Sequence, residues 1–294
     1  MILVTGGTGF VGPKIVHALR AAGRPVRALV RDPSRAGKLA GWGAELAQGD
    51  VTDPASLREA VRGCDRVVHL VAIIQGRPEQ FERVMTQGTR NLVAAAQEEG
   101  VGRFVLMSAL GTTEQSKDTV PYYRSKWAME QAVKGSSLEH VIFRPSFVFG
   151  PDGGVLPLFI RQVKYSPVTP IMGAGLQRSQ PIWVDDVAAY FEKSIDLPAA
   201  ANRTFELGGP DQVTWNELYE RIKRVLGKRR VTLHLPFGLA ERGAAVVERL
   251  PGAPVTRDQI KMLQGGDNVI SNSDAVDTFG LPLVALDEQI RRAS

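Results

Sequence analysis

Short aliphatic and β-branched runs alternate with longer stretches of helical periodicity through the first half of the chain. Ile2–Thr5, Val26–Val30, Glu45–Gln48, Arg66–Leu70, Arg103–Met107 and His140–Arg144 read as strands. Amphipathic stretches near Pro13–Ala22, Pro54–Val61, Phe81–Glu99 and Tyr122–Lys134 read as the helices between them. Asp53-Pro54 supplies an N-cap followed by proline at the first helical position, and Gly23 and Gly100 stand where helix C-caps fall. Continuous apolar strands joined by helix-length segments are buried and parallel, so the pattern predicts an α/β fold with a doubly wound sheet of six strands.

After Gly150 the alternation breaks into a Gly/Pro-rich stretch, Pro151 to Gly175, then resumes with a strand at Pro181–Val184 and a helix over Asp185–Ile195. The expected division is a dinucleotide-binding domain over 1–150, with 176–200 returning to it. A smaller substrate lobe then comprises 151–175 and 201–294. Within that lobe Thr214-Trp215-Asn216-Glu217 is a capping box opening a helix to about Leu226. A further helix, roughly Gly238–Arg249, carries Leu239, Ala240, Ala244, Val246 and Val247, to pack on the lobe's own core or to line an apolar pocket.

Composition narrows the function classes. The chain has 294 residues, 44% hydrophobic and 23% charged, which suits a globular enzyme-sized protein and excludes intrinsic disorder. One cysteine, Cys64, and four scattered histidines, His17, His69, His140 and His234, provide neither a disulfide nor metal-ligand spacing, so no metal is expected. The net charge of +5 comes from 36 basic residues dispersed among 31 acidic ones. The densest basic cluster, Lys223-Arg224 with Lys228-Arg229-Arg230, lacks interleaved aromatics, and no nucleic-acid partner is expected. The longest apolar run, Val67–Gly76, is half of the ~20 residues a membrane span requires. Nothing after Met1 reads as an export signal, and the expected location is the cytoplasm.

Directly after the first strand, Thr5-Gly6-Gly7-Thr8-Gly9-Phe10-Val11-Gly12 places glycines at 6, 9 and 12 and opens the first helix. Such a turn lets backbone approach a pyrophosphate while the helix N-terminus faces the anion, the arrangement of a Rossmann-type dinucleotide site. The second strand ends at Val30, where NAD-binding chains usually carry a carboxylate, and Arg31 and Arg35 follow. Guanidinium groups there pair with a 2′-phosphate, so NADP(H) is the expected cofactor. Asp32 would favour NAD(H) instead if the strand ran one or two residues longer. Asp50 in Gly49-Asp50-Val51 either meets the adenine amino group or caps the turn before Asp53.

Tyr122 and Lys126 stand four apart on one helical face that Pro121 helps to begin. A phenol beside an ammonium is a proton donor for carbonyl reduction, because the cation draws the phenol pKa toward neutrality.

Together these motifs resemble the extended short-chain dehydrogenase/reductase superfamily. The resemblance rests on the glycine turn, Tyr122-x-x-x-Lys126, Arg144-Pro145-Ser146-Phe147-Val148-Phe149-Gly150, Ile182-Trp183-Val184-Asp185-Asp186 and Phe205-Glu206-Leu207-Gly208-Gly209. Val26-Arg27-Ala28-Leu29-Val30-Arg31-Asp32-Pro33, and Tyr-Arg-Ser-Lys with Glu130, look most like an atypical branch that includes the NADPH-binding accessory subunit of respiratory complex I. It implies that Lys126 also binds nicotinamide ribose and that Pro145 to Val148 pack near the nicotinamide. It also implies a homodimer through the helices at Phe81–Glu99 and Tyr122–Lys134. The cofactor-binding set then comprises Gly6, Thr8, Gly9, Phe10, Val11, Gly12, Arg31, Arg35, Asp50, Val51, Ala72, Ser108, Tyr122, Lys126, Pro145 and Val148, with Tyr122, Lys126 and Ser108 as catalytic candidates.

One position departs from the superfamily pattern: Ala109 stands where a helper hydroxyl normally holds the substrate oxygen. Ser108 substitutes only if its strand has already ended, and Thr112 or Thr113 offers a hydroxyl from the loop. Losing such a donor typically costs about 100-fold to 1000-fold in rate. The leading expectation is an NADP(H)-dependent oxidoreductase acting on a small apolar carbonyl or quinone-like molecule. The alternatives are a non-catalytic NADPH-bound assembly protein, a nucleotide-sugar epimerase or dehydratase, and an NADPH sensor.

Overall fold

A computed structural model describes residues 1–248 and 256–294. Its strands, in chain order, are β1 (Ile2–Thr5), β2 (Val26–Val30), β3 (Glu45–Gln48), β4 (Arg66–His69), β5 (Arg103–Met107), β6 (Glu139–Pro145), β7 (Val148–Phe149), β8 (Val168–Met172), β9 (Arg178–Ser179), β10 (Ile182–Trp183), β11 (Arg203–Leu207), β12 (Val213–Thr214) and β13 (Val231–Leu235). Two compact units emerge: Met1–Pro145 with Val184–Leu207 and Asn272–Pro282, and Ser146–Trp183 with Gly208–Ser271 and Leu283–Ser294.

The first unit is built on a seven-stranded sheet in the order β11-β6-β5-β4-β1-β2-β3, with every neighbouring pair parallel. Alternate side chains leave each strand on opposite faces, and both faces are covered. On one, Leu3, Leu29, Val67, Phe104 and Leu106 pack with Leu57, Leu92, Met129 and Val133 from three helices. On the other, Phe143 centres an aromatic cluster with Tyr190, Phe191, Phe205 and Phe279, at ring separations of 4.9 to 6.1 Å.

The fold class is the doubly wound Rossmann type, with a seventh strand that the periodicity did not reveal. β11 joins the edge beside β6, so residues 203–207, expected in the smaller lobe, belong to the first unit, as do Asn272–Pro282. Phe205 and Phe279 hold them there, at 5.1 Å between rings. The boundary expected at 150 falls at Pro145. The expected helix Phe81–Glu99 is divided into an α-helical turn Pro78–Phe81, a π-helical segment Glu82–Gln87 and the α-helix Gly88–Glu98.

The second unit carries three two-stranded sheets, β7 with β10, β9 with β12 and β8 with β13. The capping box forms as its spacing requires: Thr214 Oγ1 accepts from the Glu217 amide, and Glu217 accepts from the Thr214 amide at 2.7 Å. The helix it opens, Trp215–Val225, buries Leu218 and Ile222. The next helix spans Phe237–Val247, and Arg249 lies outside the described residues.

Candidate functional site

The strand order reverses between β1 and β4, and their carboxyl ends carry Gly6 and Leu70. In open parallel sheets this is where ligands bind. Gly6 turns the chain with φ +78°, and a Cβ there would lie 3.0 Å from the Leu70 carbonyl carbon and the Val71 nitrogen. Gly9 N donates to Gly6 O at 3.1 Å, closing the turn. A Cβ on Gly12 would come within 2.3 Å of Gly6 O, so only glycine lets the helix Gly12–Ala21 start against the strand. No side chain caps that helix, Val11 is its N-cap residue, and its first turn has no acid. Thr8 and Gly9 are exposed, and Phe10 is half-buried. The cradle therefore offers uncapped amides to an anion, and a dinucleotide pyrophosphate fits it.

The adenosine side is equally defined. β2 ends at Val30, and Asp32 caps the short 3₁₀ turn Pro33–Arg35, accepting from Ser34 N at 3.0 Å and Ser34 Oγ at 2.6 Å. These bonds, the hydroxyl's foremost, hold its carboxyl below the ordinary value. The same turn leaves Arg31 and Arg35 exposed without an ion pair among the described residues. Asp50 Oδ1 accepts from both the amide and the hydroxyl of Thr52 at 2.8 Å, so the carboxylate caps its own turn. Val51 is buried, and its carbonyl accepts from Asn91 Nδ2 at 3.1 Å. Ala72 is exposed in the loop past β4.

Beneath the cradle a hydrogen-bonded chain crosses the sheet. Thr5 Oγ1 lies 2.6 Å from His69 Nδ1, His69 Nε2 lies 2.9 Å from Thr89 Oγ1, and Thr89 donates its proton to Met85 O. Because the Thr89 proton is committed, Nε2 must carry the imidazole proton and Nδ1 must accept from Thr5. Burial, with the Lys126 charge as a lesser cause, pushes the imidazole pKa down to about 3.

Tyr122 and Lys126 both lie on the helix Pro121–Lys134. Lys126 is buried, its Nζ donates to Met107 O at 2.7 Å, and it sits 5.8 Å from the centre of the Tyr122 ring. Burial lowers the amine to about 7, against a smaller opposing pull from Glu130. Tyr122 moves the other way from the sequence expectation: burial raises its pKa, and the Tyr123 phenol adds to the rise. The expected downward pull from Lys126 is not among the causes of this shift.

Ser108 follows the end of β5, but its hydroxyl turns inward and donates to Glu130 Oε1 at 2.6 Å. Glu130 is fully buried and also accepts from Arg144 Nε and Nη2 at 2.8 and 2.7 Å and from Lys134 at 3.2 Å. Burial would raise its pKa, and the bonds from Arg144 and Ser108 outweigh that and lower it. The Ser108 hydroxyl, expected to act in catalysis, thus has its proton bonded to a carboxylate. Thr113 is tied into a turn with Ser116, while Thr112, fully buried, has a hydroxyl without a hydrogen-bond partner among the described residues. Pro145 ends β6 and its carbonyl accepts from Leu110 N at 2.9 Å, whereas Val148 belongs to the second unit, paired with Ile182.

Residues 6–157, more than half of the chain, match a family described as NAD(P)H-binding. The chain belongs to the NAD(P)H-binding family. Within the family it is 31% identical to the ceramide reductase of Caulobacter vibrioides, over 84% of this chain and 77% of that one. It is 30% identical to the mitochondrial NADH dehydrogenase (ubiquinone) 1 alpha subcomplex subunit 9 of Arabidopsis thaliana, over 82% and 62% respectively. The Citrobacter triphenylmethane reductase, solved as a complex with NADP(H), shares the fold with a TM-score of 0.82 at 21% identity over the full length of both chains. The chain is thus similar both to a reductase and to a subunit of a respiratory complex.

Sequence reasoning gave the family its cradle and its Tyr-Lys pair but no role for Glu130. The signal was present, since Glu130 stands four residues after Lys126 and so shares its helical face. Among the described residues no group of three or more His, Cys, Asp or Glu side chains is placed to hold a metal, and no helix is long and apolar enough to cross a membrane.

Proposed function

We propose that the protein is an NADP(H)-dependent reductase of a small apolar carbonyl or quinone-like substrate. The observation that carries this reading is the pair of half-buried Tyr122 and buried Lys126 on one helix of the unit that holds the glycine cradle. The cradle from Gly6 to Gly12 would hold the pyrophosphate, Arg31 and Arg35 the 2′-phosphate, and Lys126 the nicotinamide ribose hydroxyls. Preference for NADP(H) over NAD(H) is supported by Asp32, whose carboxylate is engaged by Ser34, and by the exposed guanidinium groups of Arg31 and Arg35 beside it, which form no ion pair among the described residues.

When bound, the reduced dinucleotide supplies hydride to the substrate carbon. Tyr122, with its pKa raised, stays protonated at neutral pH and passes its proton to the carbonyl oxygen as negative charge develops there. The new C–H and O–H bonds account for both hydrogens of the alcohol, and solvent returns a proton to the phenolate. The second unit has a small cavity of about 70 Å³ lined by Phe159, Met172, Trp215, Phe237 and Leu263, with Gln177 and Tyr219 as its polar members. The Tyr219 hydroxyl is engaged by Gln162 at 2.7 Å.

A second reading, an NADPH-bound protein without turnover, is favoured by Ala109 and by the diversion of Ser108 to Glu130. The complex I subunit among the relatives agrees with it. Oxidation of NADPH with a panel of aldehydes, ketones and quinones separates the two. Turnover by the wild type that falls at least about 100-fold in Tyr122→Phe supports the reductase. Equal NADPH binding by both proteins with no turnover by either supports the second reading.

A further inference from the structure

The second unit carries exposed apolar side chains on β13 and the helix after it, next in sequence to cations that form no ion pair among the described residues. β8 and β13 pair in parallel, with Val231 opposite Val168, Leu233 opposite Pro170 and Leu235 opposite Met172. Thr232 and His234 point toward the helix Trp215–Val225, because Lys223 Nζ donates to Thr232 Oγ1 at 2.7 Å and His234 Nε2 lies 2.8 Å from Asn216 Oδ1. Side chains alternate along a strand, so Val231 and Leu233 stand on the opposite face. Val231 is 68% exposed and Leu233 48%. Pro236 leads directly into the helix Phe237–Val247, where Leu239 is 59% exposed.

The turn that feeds β13 is basic. Lys228 and Arg229 are exposed and form no ion pair among the described residues. Arg230 fixes this turn to the end of the helix Leu156–Tyr165 by donating to the carbonyls of Val163 and Lys164 at 2.8 and 2.9 Å. The two exposed cations are therefore held at the entrance to the apolar strand.

Water is a poor environment for the apolar side chains, and an uncharged partner leaves the cations unanswered. A symmetric second copy would bring this face against its own image, and with it Lys228 and Arg229 toward their own counterparts. An anionic bilayer surface satisfies both features, because acyl chains lie just beneath a layer of phosphates. We propose that Val231, Leu233 and Leu239 seat this protein on an anionic membrane surface, with Lys228 and Arg229 facing lipid phosphates. The attachment is peripheral and does not depend on the hydride chemistry.

Co-sedimentation of the full chain with vesicles tests this. The wild type is expected to sediment with vesicles of equal parts phosphatidylcholine and phosphatidylglycerol, and about tenfold more weakly with pure phosphatidylcholine. The double variant Lys228→Glu/Arg229→Glu and the triple variant Val231→Ser/Leu233→Ser/Leu239→Ser should each lose about tenfold or more of the binding to anionic vesicles. All substitutions are at exposed positions, and unchanged circular dichroism and NADPH titration verify the fold. The proposal is overturned if the wild type ignores anionic vesicles, or if either variant binds them as the wild type does. It is also overturned if sedimentation velocity shows a dimer that the triple variant dissolves while no form binds vesicles, since a second copy then covers this face.

Discussion

Ser108 gives its hydroxyl proton to Glu130 across 2.6 Å, although the two stand 22 positions apart in the chain. This bond ties the end of β5 to the helix that carries Tyr122 and Lys126, and Arg144 at the end of β6 joins the same carboxylate. Glu130→Gln removes the carboxylate that Arg144 grips with two bonds and leaves it only the Glu206 charge on the neighbouring strand, and a loss of about 3 kcal/mol in unfolding free energy is expected. Ser108→Ala should cost only about 1 kcal/mol and leave NADPH affinity unchanged. Urea denaturation with parallel cofactor titration measures both. If Ser108→Ala abolishes turnover at unchanged stability, Ser108 is the helper hydroxyl after all.

Gly12→Ala tests the cradle. The added Cβ meets backbone, at 2.3 Å from Gly6 O and 2.7 Å from Gly7, so no side-chain rotation relieves it. Overpacking of this kind costs about 1–3 kcal/mol, and here the strain falls on the anion site itself. Dinucleotide affinity should drop at least about tenfold. Retained affinity would mean that this turn does not hold the pyrophosphate.

Several of these features were legible in the sequence because they are local. The glycine spacing after Ile2–Thr5, the Asp53-Pro54 start and the Thr214–Glu217 capping box each need only a few neighbouring residues. What the sequence hid depends on distant partners. β11 buries only Phe205 and Leu207 and presents Arg203, Thr204 and Glu206 around them, so its strand character rests on pairing with β6. The π-helical turn at Glu82–Gln87 is too short for its longer period to separate from that of an α-helix. The direction of the Tyr122 shift is set by burial, which the spacing of Tyr122 and Lys126 alone does not reveal.

His69 makes stability depend on pH. Its pKa is about 3 in the folded protein, below an ordinary value of about 6.5, so between these limits the unfolded chain binds the extra proton. Its contribution is complete above about pH 6.5 and is lost as pH falls toward about 3, with a slope approaching 1.4 kcal/mol per pH unit. Thermal unfolding of the wild type and of His69→Gln across this range should show the slope in the first and a flatter line in the second. Parallel lines would show that His69 does not set the acid limit.

We infer that the first unit holds NADP(H) through Arg31 and Arg35, which lie exposed at the end of β2. Fluorescence titration of the purified protein with NADPH and with NADH, repeated on Arg31→Ala, tests it most directly. The account predicts NADPH binding at least about tenfold tighter, worth about 1.4 kcal/mol, with that preference largely lost in Arg31→Ala and NADH affinity unchanged. Equal or tighter binding of NADH by the wild type would contradict it and return the adenosine contact to Asp32.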